Sequence, residues 1–108
     1  MHLARRVNRA LTHPLRKPIA EHTQRNFAQA AEWLASRQAP LILDSGCGVG
    51  VSTRQLAAQF PGHAVIGIDH SEDRLGRDHG ELPHNALLVR ADLVDFWRLA
   101  YQAGWAPE

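Results

Sequence analysis

The 108-residue chain has a single cysteine, Cys47, so no internal disulfide can staple it. A reducing, cytoplasmic setting is the expectation. No apolar run approaches the ~18–20 residues needed to span a bilayer, so no membrane role is expected. The N-terminus is basic but lacks the apolar core of a secretory signal. The seven histidines (His2, His13, His22, His63, His70, His79 and His84) are scattered without ligand spacing, and with one cysteine they give no zinc pattern. No metal is expected. Internal repeats and low-complexity segments are also missing. With 44% hydrophobic and 21% charged residues, the composition is that of one small globular domain rather than a disordered chain.

One further absence is more informative. The run Leu41-Ile42-Leu43-Asp44-Ser45-Gly46-Cys47-Gly48-Val49-Gly50 reads as an apolar strand that ends in an acid and enters a glycine-rich loop. A dinucleotide-binding loop of the G-x-G-x-x-G type would place its third glycine at position 51, which is Val51. The spacing is instead acid-x-G-x-G-x-G, through Asp44, Gly46, Gly48 and Gly50. A carboxylate at the mouth of such a loop repels a pyrophosphate. It welcomes a ligand with a cationic end, such as S-adenosylmethionine (SAM), which carries a sulfonium and an amino group and no phosphate. Glycines let the backbone pass close to that ligand.

The strand–acid pattern occurs twice more. Ala64-Val65-Ile66-Gly67-Ile68 runs into Asp69, and Ala86-Leu87-Leu88-Val89-Arg90-Ala91 runs into Asp92. Ligands of open α/β sheets gather at the carboxyl ends of strands, and an acid there can accept both ribose hydroxyls. Asp69 is placed on the ribose. His70 either lies against the adenine or is an exposed loop histidine. Asp92 either faces the ligand or caps a helix.

From Leu41 to Trp97 the chain resembles class I SAM-dependent methyltransferases. Within them it resembles the bacterial tRNA (guanine-7)-methyltransferases of the TrmB type. The residues concerned are Asp44 to Gly50 with Ser52-Thr53, Val65 to Ser71 with Arg74-Leu75, and Arg90 to Trp97. The resemblance implies a SAM loop at Gly46, Gly48 and Gly50, a ribose acid at Asp69 and an adenine-side acid at Asp92. It also implies a seven-stranded, mostly parallel sheet, of which this chain has material for three strands. The expected fold is therefore α/β, a partial Rossmann-like sheet of about three parallel strands flanked by helices. The chain is read as an N-terminal SAM-binding half, with the substrate-side residues of the family beyond Glu108, so no catalytic residue is named.

Charge divides the chain. Residues 1–37 hold seven basic residues against two acids, whereas residues 38–108 hold five arginines against nine acids, which together give the net +1. Residues 1–40 are read as a basic helical arm and 41–108 as the SAM-binding half. In the arm, Arg5, Arg6, Arg9, Arg16 and Lys17 could contact tRNA phosphates. Helical spacing of Phe27, Ala30, Ala31 and Leu34 predicts a helix over about 19–37. Further helices are expected over 52–60, from the Ser71 cap to about Gly80, and from Asp92 to about Ala103. Short strand–helix alternation implies parallel pairing, with the first strand beside the second and the third outside it. The far edge of the first strand would then be unpaired, which invites self-association.

Cys47 lies inside the loop, but no base partner is identifiable, and a small apolar residue would serve there too. Trp33, Trp97 and Trp105 fit a core or interface better than base stacking. Three functional readings stand. The first is the SAM-binding part of a tRNA guanine-7 methyltransferase, inactive alone. The second is a non-catalytic nucleotide-binding or interaction module. The third is a methyltransferase acting on a small molecule or protein.

Overall fold

The computed structural model of the protein describes residues 18–108. The five basic residues named for tRNA contact, Arg5, Arg6, Arg9, Arg16 and Lys17, lie outside that range. The elements follow in the order α1 (Glu21–Arg37), β1 (Leu41–Ser45), α2 (Val51–Gln59), β2 (Ala64–Asp69), α3 (Glu72–Leu75), β3 (Ala86–Arg90) and α4 (Leu93–Gln102). The strands form one parallel sheet in the order β1-β2-β3. This is the expected partial Rossmann-like sheet.

Alternation along each strand builds two faces. Leu41, Leu43, Ile66, Ile68, Leu87 and Val89 pack with Phe27, Ala30 and Leu34 of α1 and with Phe96 of α4. Phe96 is fully buried, edge-on to Phe27 at 5.2 Å and to Trp105 at 5.8 Å, and Trp105 stacks on Phe27 at 4.8 Å. Phe27 and Trp105 are half-buried, and packed rings of this kind supply a large share of a small core. Ile42, Val65 and Ala86 face the other way, against Leu56 and Ala57 of α2. β2 is buried along its whole length, as a strand covered on both faces should be.

Two boundaries differ from expectation for physical reasons. Helix α2 begins at Val51, with Gly50 as its cap at φ +92°. The hydroxyls of Ser52 and Thr53, which resemble a helix-start signal, donate to Asp44 instead. Helix α3 is one turn long and stops at Gly76 rather than near Gly80. Beyond it Asp78 Oδ1 accepts the Gly80 N–H at 3.0 Å, and Gly80 turns at φ +88°. The exposed polar run from Gly76 to Glu81 offers no apolar stripe to hold a longer helix. Asn85 replaces it as the anchor of this segment. Buried, it donates Nδ2 to the carbonyls of Ala57 (3.0 Å), Phe60 (3.3 Å) and His63 (3.0 Å).

The Pro40 carbonyl accepts from Ala64 N, and Gly46 N donates to Ile68 O. Alternate residues of β1 therefore point their backbone groups at β2, and those of Leu41, Leu43 and Ser45 point to the opposite edge. No described strand pairs with that edge, although Glu108 N donates to Leu41 O at 2.8 Å.

Helix α2 comes close to the sheet at Gly67, in mid-β2. A Cβ there would collide with Thr53 Oγ1 and lie 3.0–3.1 Å from Leu88 Cδ2 and Cys47 Cβ. Gly67→Ala is expected to destabilise the fold by about 1–3 kcal/mol, as overpacking a full core does. Urea unfolding followed by far-UV circular dichroism measures this. An unchanged midpoint would show that α2 can lift off β2 at no cost.

Candidate functional site

The parallel pairing of β1 with β2 builds the site. Asp44 stands opposite Gly67, and Ser45 opposite Ile68. Just past β1, the amides of Gly46 and Cys47 both donate to the Ile68 carbonyl, at 2.7 and 3.0 Å. Gly50 N then donates to Cys47 O at 3.0 Å, closing a tight turn. Three residues of this turn have left-handed backbone: Gly46 at φ +72°, Gly48 at +58° and Gly50 at +92°. Each therefore needs glycine on conformational grounds. At Gly46 and Gly48 a Cβ would meet nothing within 4 Å, so the loop presents open space at these two positions. Gly50 is different, for Leu88 and Arg54 close over it.

Arg54 locks the far side of the loop. Its Nη1 donates to the carbonyls of Val49 and Gly50, both at 3.2 Å, and its Nη2 to Gly80 O at 3.0 Å. The side chain thereby ties the glycine loop to the segment between α3 and β3. The sequence reading missed both Arg54 and Gly67. A single arginine in a helix has no distinctive spacing, and a strand glycine shows its purpose only when the helix above it is in place.

The two strand-end acids are held differently. Asp44 Oδ2 accepts Ser52 Oγ–H at 2.6 Å and Thr53 Oγ1–H at 2.7 Å. Asp69 is buried. Its Oδ2 accepts the Ser71 amide at 3.0 Å and faces Arg74 Nε at 3.6 Å. In neither acid does a described residue donate to Oδ1. Among the described residues, each carboxylate is thus held through its Oδ2 oxygen. His70 follows Asp69 and is exposed. Asp92 caps α4, its Oδ1 accepting Asp95 N at 2.9 Å, while its own amide donates to the buried Thr23 hydroxyl at 3.3 Å. Trp97 donates its indole N–H to Ser45 Oγ at 3.0 Å, bracing the end of β1 from the α4 side.

Cys47 lies between the acids. Burial is the main cause pushing its thiol up to about 11, and the charges of Asp44 and Asp69 add to it against a hydrogen bond with Thr53. It is a packing residue, protonated at neutral pH. The folded chain holds this proton where an unfolded chain has lost it, so stability falls as pH rises from about 9 to about 11. Alkylation by iodoacetamide is expected to stay slow at pH 8 and to accelerate only towards pH 11. Rapid modification at pH 7–8 would contradict this environment.

Comparisons with known proteins agree with this geometry. The family described as "Methyltransferase domain" matches residues 42–104, from within β1 to just past α4. A trans-aconitate 2-methyltransferase of Acidovorax sp. (strain JS42) is 40% identical over 91 residues, covering 82% of this chain and 30% of that protein. The enzyme of the same name from Paracidovorax citrulli (strain AAC00-1) is 42% identical over 67 residues, covering 62% and 22%. That from Yersinia pestis (strain Pestoides F) is 42% identical over 57 residues, covering 53% and 21%. The chain thus spans under a third of the length of these curated relatives. No solved structure matches it significantly. The relatives uphold the class I methyltransferase resemblance but give no support to its tRNA (guanine-7) refinement. A methyltransferase-domain match over more than half the chain, on a parallel sheet whose first loop has this acid-and-glycine geometry, settles the matter: the chain belongs to the methyltransferase domain family, whose cofactor is S-adenosyl-L-methionine.

Proposed function

We propose that this chain is the SAM-binding portion of a methyltransferase acting on a small organic acid such as trans-aconitate. The carrying observation is the pair of carboxylates at the ends of adjacent parallel strands, Asp44 and Asp69, each fixed through Oδ2 beside a left-handed glycine loop. This donor set suits the cofactor. Asp44 is the counter-charge for its ammonium end, and Asp69 accepts from its ribose hydroxyls. Gly46, Gly48 and Gly50 give the backbone contact surface between them. His70 and Asp92 border the adenine side.

When bound, SAM supplies an electrophilic methyl group on a sulfonium. A carboxylate acceptor would take that methyl group as an ester and leave S-adenosylhomocysteine, with Asp44, Asp69 and the glycine loop holding the donor. A carboxylate is already ionised at neutral pH, so no base is required to activate it. The chain's part is to hold the donor still and oriented, which can supply much of the rate in a displacement of this kind.

The small-molecule reading draws on the relatives' names. The tRNA guanine-7 reading keeps the basic excess of residues 1–37 in its favour. Filter binding of tRNA at two salt concentrations separates them. The small-molecule reading expects no saturable binding near 0.15 M salt. Tight binding that weakens steeply with salt would favour the RNA reading.

Donor binding is tested by calorimetric titration with S-adenosylhomocysteine. Saturable binding is expected, weakened about tenfold or more in Asp69→Ala, as loss of a charged hydrogen-bond acceptor should do. Equal affinity in the variant would remove Asp69 from the ribose. We propose also that the edge of β1 that no described strand pairs takes up a second copy of the chain. Sedimentation velocity should then show a concentration-dependent dimer, and a sharp monomer at every concentration would refute this.

A further inference from the structure

Asp44 has two oxygens, and the described residues engage one of them. Oδ2 takes two short hydroxyl bonds, 2.6 Å from Ser52 and 2.7 Å from Thr53, in the range of charge-assisted O–H···O⁻ bonds. An sp² oxygen that accepts two such bonds has both lone-pair directions used. The donors differ in setting. Ser52 is exposed on the first turn of α2, whereas Thr53 is fully buried. Thr53 Oγ1 occupies the space that a Cβ on Gly67 would fill, and it lies within reach of the Cys47 thiol. Its hydroxyl is therefore hemmed in by β2, the loop and Asp44 together. Branching at Cβ adds to this, since it restricts χ1 in a helix.

We propose that Thr53, assisted by Ser52, is a positioning residue that fixes Asp44 so that Oδ1 receives the ammonium end of the methyl donor. This rests on the cofactor placement proposed above and deepens it. The consequence is a selectivity device. The hydroxyl pair acts on the amino-acid end of the donor and leaves the adenosine end, held at Asp69, untouched. Ligands that share the adenosine but lack the amino-acid end should then be indifferent to Thr53.

Two probes make that distinction. S-adenosylhomocysteine carries the amino-acid end, and 5′-methylthioadenosine has the same nucleoside and sulfur without it. Calorimetric titration of both is made on the wild-type chain and on Thr53→Val, Thr53→Ser and Ser52→Ala. Thr53→Val keeps the shape and removes the hydroxyl. It is expected to weaken S-adenosylhomocysteine about tenfold or more and to leave 5′-methylthioadenosine almost unchanged. Thr53→Ser should restore most of the loss. Ser52→Ala, at an exposed position, should fold regardless and show a smaller loss confined to the same ligand.

Equal weakening of both ligands in Thr53→Val would mean a merely structural role and overturn the proposal. So would unchanged affinity for S-adenosylhomocysteine in Thr53→Val and Ser52→Ala. If Thr53→Val fails to fold, the selective loss in Ser52→Ala carries the proposal, and its absence overturns it. A folded wild-type chain that binds neither probe would defeat the underlying cofactor placement, a result distinct from all of these.

Discussion

Everything at the site depends on one carbonyl. Ile68 O, at the end of β2, accepts the amides of both Gly46 and Cys47 and thereby pins the start of the glycine loop to the neighbouring strand. That bond exists only because β1 and β2 run parallel in the observed register, with Ser45 opposite Ile68. A slip of one residue would turn Asp44 to the opposite face of the sheet and take the loop off its anchor. The register is protected by burial on both faces. Ile66 and Ile68 pack towards α1 and α4, and Val65 packs towards α2.

From that anchor the rest follows in sequence. The loop turns back through three left-handed glycines, and Gly50 starts α2 directly above β2. Helix α2 can sit close because Gly67 has no side chain to hold it off. Its closeness brings Thr53 and Ser52 onto Asp44, and Arg54 back onto the loop carbonyls. The acid is then not a free surface carboxylate. It is a group held through Oδ2 by two hydroxyls of α2. Asp69 repeats the arrangement one strand further on, with Ser71 and Arg74 in the holding role.

Much of this was legible in the sequence, for identifiable reasons. Strands β1, β2 and β3 are short apolar runs bounded by turn residues, and each was placed within one residue of its observed end. Asp92 and Ser71 carry the chemistry of helix caps, and both cap helices. The glycine loop declared itself by spacing. What was not legible depends on contacts between distant residues. Ser52 and Thr53 look like a helix start, and only the folded loop shows that Asp44 claims their hydroxyls. Gly67 looks like a weak point in a strand until α2 is placed over it. The Ser71 cap predicts a longer α3 than the observed Glu72–Leu75, because the polar sequence after it tolerates a helix without compelling one. The narrower tRNA resemblance finds no support among the relatives, which are trans-aconitate 2-methyltransferases.

The central claim is that the ends of β1 and β2 form one site for the methyl donor. The most direct measurement is an amide-resolved NMR titration of the ¹⁵N-labelled chain with S-adenosylhomocysteine. Saturating shifts are expected at Gly46, Gly48, Gly50 and the Asp69–Ser71 stretch, with the far face packed by α1 and α4 little changed. Shifts confined to that far face, or a folded chain whose glycine-loop amides do not move at saturating ligand, would contradict it.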